Sequence, residues 1–434
     1  MKPRNFEERA VWWAIVGTYG FYLVGGLYIL APVLAWILLI YLGRKLWHQT
    51  ADTPAEEKIT IPWGVYVWVV SMLGMELALI AGHLDTGLGV DLLVKSSLGW
   101  AKGWALLALF PLIGCLNIRL QLLSRAACIL GLQTLVLLPV FLMAYVLRLP
   151  ETLYVSPLQA VGGPGAEFFS VDLYEIDPGN GLPRWRLFTP WAPALGFVAN
   201  IYFFLAASEP EHKWRWTGMA ACVAMCLVSG SRLAILAVPI VWGTTRLMTG
   251  FAHPGMLVGG GVLAGVAGAF STSILDAFET IQETFVRARA DSSRVREVLG
   301  RIAVERWSEA PLWGHGVVER GPHLVEYMPI GSHHTWLGLL FVKGAVGFAA
   351  LGVPMLWTAV ELLLRLHRSQ TARLGMSVFL VIFLYTFGEN LEILAYLFWP
   401  GLITIGIALK ERQPADLRPF SGTRNETESL ASAG

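Results

Sequence analysis

The chain has 434 residues, of which 55% are hydrophobic and only 15% charged, against roughly 25% charged in soluble domains. A soluble interior cannot hide that much apolar surface, so a soluble globular domain is excluded. A bilayer must supply the apolar surroundings, with every backbone group bonded inside a helix or a closed barrel.

The apolar runs are of helix length, which argues against a barrel and predicts an all-α integral membrane protein of about 12 transmembrane helices. Spans are expected at about 10–27, 28–43, 61–83, 103–118, 126–147, 189–207, 214–230, 233–249, 254–275, 335–364, 374–388 and 391–409. The run 335–364 is long enough to bend or tilt. The first run follows a short basic start, Lys2, Arg4 and Arg9, and lacks a small-residue cleavage site. It therefore reads as a retained helix, not a cleaved signal peptide. Cys115, Cys128, Cys222 and Cys226 all fall inside apolar runs, as packing residues do. They form neither a disulfide framework nor a zinc pattern.

The net charge of +1 excludes nothing, but the placement of the charges is informative. With a cytoplasmic N-terminus, the cytoplasmic turns hold Arg44, Lys45, Lys58, Arg119, Arg125, Lys213, Arg215, Arg246, Arg365, Arg368, Arg373, Lys410 and Arg412. The short outer turns hold chiefly Lys95 and Lys102, as the positive-inside rule requires. Two long outer segments are expected, at about 148–188 and about 276–333. The first is rich in Pro and Gly. The second is helical: one helix from Asp276 to Arg289, then Asp291-Ser292-Ser293 as an N-cap before another from Arg294 to Glu309. Residues 1–412 thus form one polytopic domain, and the polar tail 413–434 reads as disordered and cytoplasmic.

Three outer features bear chemistry. Arg232, in Ser229-Gly230-Ser231-Arg232 between two apolar runs, is either a snorkelling turn residue or an anion-binding group facing a cavity. Arg294 and Arg301, seven residues apart, share one helix face; with Arg296, Arg306 and interspersed glutamates that face is either solvated or functional. His333-His334 enters a span, and imidazole titrates near neutral pH, as a general base must. Gly344 and Gly347 follow, spaced for close helix contact or a bend. Glu389 and Glu392 lie at the outer end of a span, either as functional carboxylates or as caps of a short turn.

Taken in order, these pieces resemble the O-antigen ligase and O-antigen polymerase superfamily. The family pattern of His, then Asn, Ser or Gln, nine residues, Gly, two residues and Gly is matched by His333, His334, Gly344 and Gly347, with His334 departing at the second position. Either histidine can then be the functional imidazole, and the glycine spacing favours His333. Arg232 to Leu236 matches an Arg-x-x-x-Leu element. Ser293-Arg294, Trp307 and Pro311-Leu312-Trp313-Gly314-His315-Gly316 match the family's outer helix and turn. Arg186-Leu187-Phe188-Thr189-Pro190 resembles the family's Arg-x-x-x-x-Pro with one residue fewer, and with Trp191 where the family has Asn. The resemblance covers about residues 186–347.

The resemblance implies a glycosyltransferase in a bacterial inner membrane with a periplasmic active site. It implies an undecaprenyl-diphosphate-linked glycan as donor, and lipid A core, a second lipid-linked glycan or a protein hydroxyl as acceptor. His333, Arg232 and Arg294 would be catalytic, and Arg186, His334 and Arg301 substrate-binding. No cofactor, metal or nucleic-acid partner is implied; membrane lipid is. Arginine, always charged and able to bind two phosphate oxygens, suits a diphosphate leaving group. A transporter or flippase for lipid-linked glycans is the rival reading.

Overall fold

A computed structural model describes residues 1–54, 57–177, 181–250, 290–325 and 327–411. The expected span 254–275, the expected helix Asp276–Arg289 and the tail 413–434 lie outside the described residues. Fourteen α-helices occur among them. These are α1 Phe6–Val16, α2 Thr18–Leu23, α3 Leu27–Trp47, α4 Trp63–Asp85, α5 Val90–Lys102, α6 Leu106–Ile113 and α7 Leu120–Val146. They continue with α8 Ala192–Ala207, α9 His212–Val228, α10 Arg232–Gly250, α11 Ala290–Trp307, α12 Thr335–Arg365, α13 Gln370–Tyr385 and α14 Leu391–Lys410.

The protein is a helical membrane protein, but seven spans, not about twelve, are long and apolar enough to cross a bilayer among the described residues. The reasons are local. The run 10–27 breaks into α1 and α2 at Gly17, then turns at Gly25, whose φ of +69° and contact with Ser156 leave no room for a side chain. The run 103–118 contributes only the eight residues of α6, which join amphipathic α5 through Gly103 to make one span, Val90–Ile113. Helices α8 and α13 are apolar but only 16 residues long. Helix α9 has 17 residues and starts on His212, Lys213 and Arg215. The other expected spans correspond to α3, α4, α7, α10, α12 and α14.

Burial follows from this arrangement. Helix α14 is central, with 83% of its apolar window buried. It crosses α6 at close range, because Gly114 faces the Ile403 carbonyl and Gly406 faces the Pro111 carbonyl. Small residues let helix backbones approach where no water-driven force pulls them together. The outer helices turn apolar stripes outward. On α4, Tyr66, Val70, Leu73 and Leu77 recur at helical spacing and are all exposed. In water such stripes are unfavourable; against lipid tails they are at home.

One end of the bundle is fastened by ion pairs at helix ends: Glu8 with Arg119 at 2.6 Å, Glu7 with Lys45 at 2.8 Å and Glu209 with Arg125 at 2.6 Å. The first long segment lies at the opposite end and forms two small antiparallel pairs. Strand β1 Thr152–Val155 pairs with β2 Ser170–Asp172, and β3 Glu175–Ile176 with β4 Pro183–Arg184. It is docked onto the bundle: Ser156 Oγ donates to the Val24 carbonyl at 2.8 Å, and the Asp172 amide donates to the Tyr22 hydroxyl at 2.7 Å. In the second segment, residues 291–293 lie inside α11 instead of capping it, so that helix starts earlier than the Asp-Ser-Ser signal indicates.

Gly406→Val, which drives a branched side chain into the Pro111 carbonyl, should destabilise the protein by about 2 kcal/mol. It should lower the thermal midpoint of the detergent-purified protein, whereas Leu77→Ala on the outward stripe of α4 should leave that midpoint unchanged. Equal midpoints for the two variants would refute the close crossing.

Candidate functional site

The site is built around a break in α12. Gly344 has φ +61° and interrupts the helix about 14 Å along its axis from Thr335, at about 1.5 Å per residue. The break frees the carbonyls of Phe341 and Val342 and the amides of Ala345 and Val346. All four are taken up by the turn 311–316. His315 N donates to the Phe341 carbonyl and Gly316 N to the Val342 carbonyl, both at 2.9 Å. Ala345 N donates to the Pro311 carbonyl at 2.9 Å, and Val346 N to the Leu312 carbonyl at 3.2 Å. Glycine is required on both sides. A Cβ on Gly314 would meet Lys343 N at 2.5 Å, and one on Gly344 would strike the Leu312 carbonyl. Gly82 on α4 receives the other side of the turn, with the Trp313 carbonyl 2.9 Å from where its Cβ would stand. The Pro-Leu-x-Gly-x-Gly turn and the glycines after His333 are therefore two halves of one joint.

The entrance of α12 lies above this joint. His334 is the N-cap, its Nδ1 accepting from Leu337 N at 3.3 Å. Thr335 fastens the entrance to the turn between α13 and α14. Its amide donates to the Thr386 carbonyl at 2.9 Å, its hydroxyl to the Glu389 carbonyl at 2.6 Å, and the Leu391 amide donates back to that hydroxyl at 3.1 Å. The Trp336 indole donates to Thr386 Oγ1 at 2.8 Å. These bonds hold His333 and Glu389 at the same end of the bundle.

Glu389 is buried, and its Oε2 accepts from Trp191 Nε1 at 3.0 Å. Burial pushes its carboxyl up to about 7, opposed by the Trp191 hydrogen bond and the charge of Arg296. His333 moves the other way: burial, helped by Arg296, pushes its imidazole down to about 4. His334 is also lowered, by burial. At neutral pH His333 is therefore an uncharged imidazole, the form that accepts a proton, at the same end of the bundle as a carboxyl near its midpoint. Opposed shifts of this kind mark functional sites.

Arg232 opens α10, and its neighbour Leu233 packs on Gly388, next to Glu389. Arg232 thus stands at a helix N-terminus, where the macrodipole also favours an anion. Arg186 precedes Trp191 by five residues. It pairs with Asp172 and donates to the Pro190 carbonyl and to Ser170 Oγ, the last at 2.9 Å, so its charge is already balanced. Arg294 and Arg301 do share a face, as their spacing requires, and both are exposed. Arg301 lies 3.9 Å from Glu305, and with Arg296 it borders the open space between α11 and His334. Arg296 is exposed as well, but lies about 160° round the helix from Arg294, on the side of Gly300 and Ala303, which are buried against α12. It is Arg296 that acts on His333 and Glu389. The signal for it was present in the sequence: it is four residues before Gly300 and seven before Ala303, on the apolar stripe. Trp191 stands where the family has Asn, and nothing in its spacing announced a partner for Glu389.

Two measurements check this geometry. Gly344→Ala should cost about 1–3 kcal/mol through its left-handed backbone and the blocked Leu312 contact, read as a lowered thermal midpoint. An NMR titration of ring-labelled histidine should find His333 titrating well below 6.5. Arg296→Ala should raise that value, because a positive charge is removed. An unmoved His333 would show that Arg296 is not where the structure has it.

Comparison with known protein-family models returns no match, and comparison with curated proteins likewise returns none.

Proposed function

We propose that this protein is a membrane glycosyltransferase that moves a glycan from undecaprenyl diphosphate to an acceptor hydroxyl at the periplasmic face of a bacterial inner membrane. One observation carries the reading. An uncharged imidazole, a buried carboxyl and the arginines at positions 232 and 296 gather at one end of the bundle, opposite the end fastened by Glu8–Arg119 and Glu209–Arg125. A polyprenyl diphosphate floating in a bilayer presents its headgroup at that level, with its tail along the apolar helix faces. The ordered motif resemblance supports the same chemistry.

The acceptor oxygen attacks the anomeric carbon while the bond from that carbon to the diphosphate oxygen breaks. The bond pair leaves with the diphosphate, and the acceptor proton passes to the His333 imidazole. Inversion follows from the single displacement. Negative charge building on the departing diphosphate is held by Arg232, at the N-terminus of α10, and by Arg296. Arg296 takes the place that the resemblance gives to Arg294. Glu389, hydrogen-bonded to Trp191, balances Arg296 when the site is empty. Charge stabilisation by arginine makes the proposed reaction independent of a divalent metal.

The test is transfer by detergent-purified protein given an undecaprenyl-diphosphate glycan in EDTA, with lipid A core in one tube and no added acceptor in the other. Product only with lipid A core identifies a ligase, and laddering of the donor alone a polymerase. Alanine at His333 or Arg232 should abolish product, and Arg296→Ala should lower the rate at least tenfold more than Arg294→Ala. Neutral His333 persists down to pH about 4, so the fall in rate due to this group should come there and move to higher pH in Arg296→Ala. No product in either tube, with movement of the donor between liposome leaflets, would replace the transferase by a transporter.

A further inference from the structure

Between α11 and the first turn of α12 lies an open cleft of about 590 Å³. Its size falls within the roughly 300–1,000 Å³ of ordinary small-molecule sites. Arg296, Glu297, Arg301 and Glu305 line one side, and His334 and Leu337 the other. The cleft reaches the reacting centre at two points. His334 follows His333 in the chain, and Arg296 acts on both His333 and Glu389.

Its chemistry is distinctive. Two arginines and two glutamates cancel in charge, so the cleft offers no net attraction to a polyanion. Its surface is mainly apolar, made by Leu337, Val304 and the aliphatic stems of the charged side chains, and the planar charged groups of both kinds stand at its border. Carboxylates accept hydroxyl protons in pairs, and guanidiniums donate to two oxygens at once, which is how neighbouring hydroxyls on a ring are recognised. Leu337 and the exposed Val304 supply an apolar surface for the C–H face of a ring. The Arg301–Glu305 pair is open to solvent at 3.9 Å, and an exposed pair of this kind gives way easily to a ligand.

We propose that this cleft binds the acceptor's sugar, selecting a polyhydroxylated ring that carries no net charge where it enters. The proposal rests on the transferase reading. Inverting displacement places the incoming hydroxyl and the outgoing diphosphate on opposite sides of the anomeric carbon. Arg232 belongs to the α10 side, where Leu233 meets Gly388. Among the described residues the cleft takes no lining from α10, α13 or α14. Arg296, which lines the cleft and also acts on His333 and Glu389, is the residue the two sides share; the rest of the leaving group departs toward α10, and the hydroxyl arrives over Arg301 and Glu305 on α11.

The experiment measures KM separately for the two substrates. Lipid A core, or a non-transferable methylene-diphosphonate analogue of the lipid-linked glycan, is titrated as acceptor at saturating donor, and then the donor at saturating acceptor. The R301A/E305A double variant should raise the acceptor KM about tenfold and leave the donor KM where it was. The isosteric E297Q/E305Q variant leaves the cleft with two uncompensated arginines. It should shift preference toward phosphorylated over dephosphorylated lipid A core, a gain that a misfolded protein cannot show. A rise in donor KM alone, or no change in either constant, overturns the acceptor assignment while leaving the transferase standing. Failure of the unaltered protein with both acceptors overturns the transferase reading and this inference with it.

Discussion

A helix interrupted inside a bilayer must hand its freed backbone groups to something other than lipid. In α12 the break at Gly344 releases two carbonyls and two amides, and the turn 311–316 bonds all four. Each such group left bare in hydrocarbon costs several kcal/mol. The exchange therefore dictates what surrounds it. The turn must be narrow, hence Gly314 and Gly316 at positive φ. The helix behind it must lack a side chain, hence Gly82 on α4. Lys343, buried beside the break, lies within electrostatic reach of Glu392 on α14 and Glu76 on α4, so three helices meet there. Removing one partner from buried charges of this kind is strongly destabilising, because the others are left uncompensated.

The chemistry above the joint inherits this rigidity. His333 comes just before Thr335, which is hydrogen-bonded three times to the α13–α14 turn, and the same turn carries Glu389. Helix α11 is held against α12 by Leu337, Phe341 and Ala303, with Arg306 lying over the Phe341 ring at 5.2 Å. Arg296, itself exposed, is thereby held within electrostatic reach of the imidazole and the carboxyl. Burial opposes the charged form of each, in opposite directions on the pH scale. The result is an imidazole held neutral and a carboxyl near its midpoint at one end of the bundle.

Much of this was legible in the residues alone, for physical reasons. Composition demanded a bilayer, and most helix-length runs became helices. The motif around His333 and Gly344 pointed to one place, and the place is a single joint. What escaped notice depends on packing. Whether an apolar run spans or breaks at Gly17 or Gly103 turns on what lies beside it, and a run carries no record of that. Seven-residue spacing rightly put Arg294 and Arg301 on one face but could not say which face is covered. The apolar stripe through Gly300 and Ala303 could have: Arg296 lies along it, and Arg301 borders the same space in front of His334. Arg186 looked free to bind an anion because its partner, Asp172, sits on a short strand with no sequence signature.

The joint at Gly344 also bears on how the chain is made. Synthesis runs from the N-terminus, so α4 and the turn 311–316 both leave the ribosome before the break they will seal. The second half of α12 enters the membrane with its receiving surface already complete. A permuted chain, in which the turn were made after α12, would pass through a stage with four backbone groups open to lipid. The linear order of the motifs thus places both surfaces that seal the break ahead of it in synthesis.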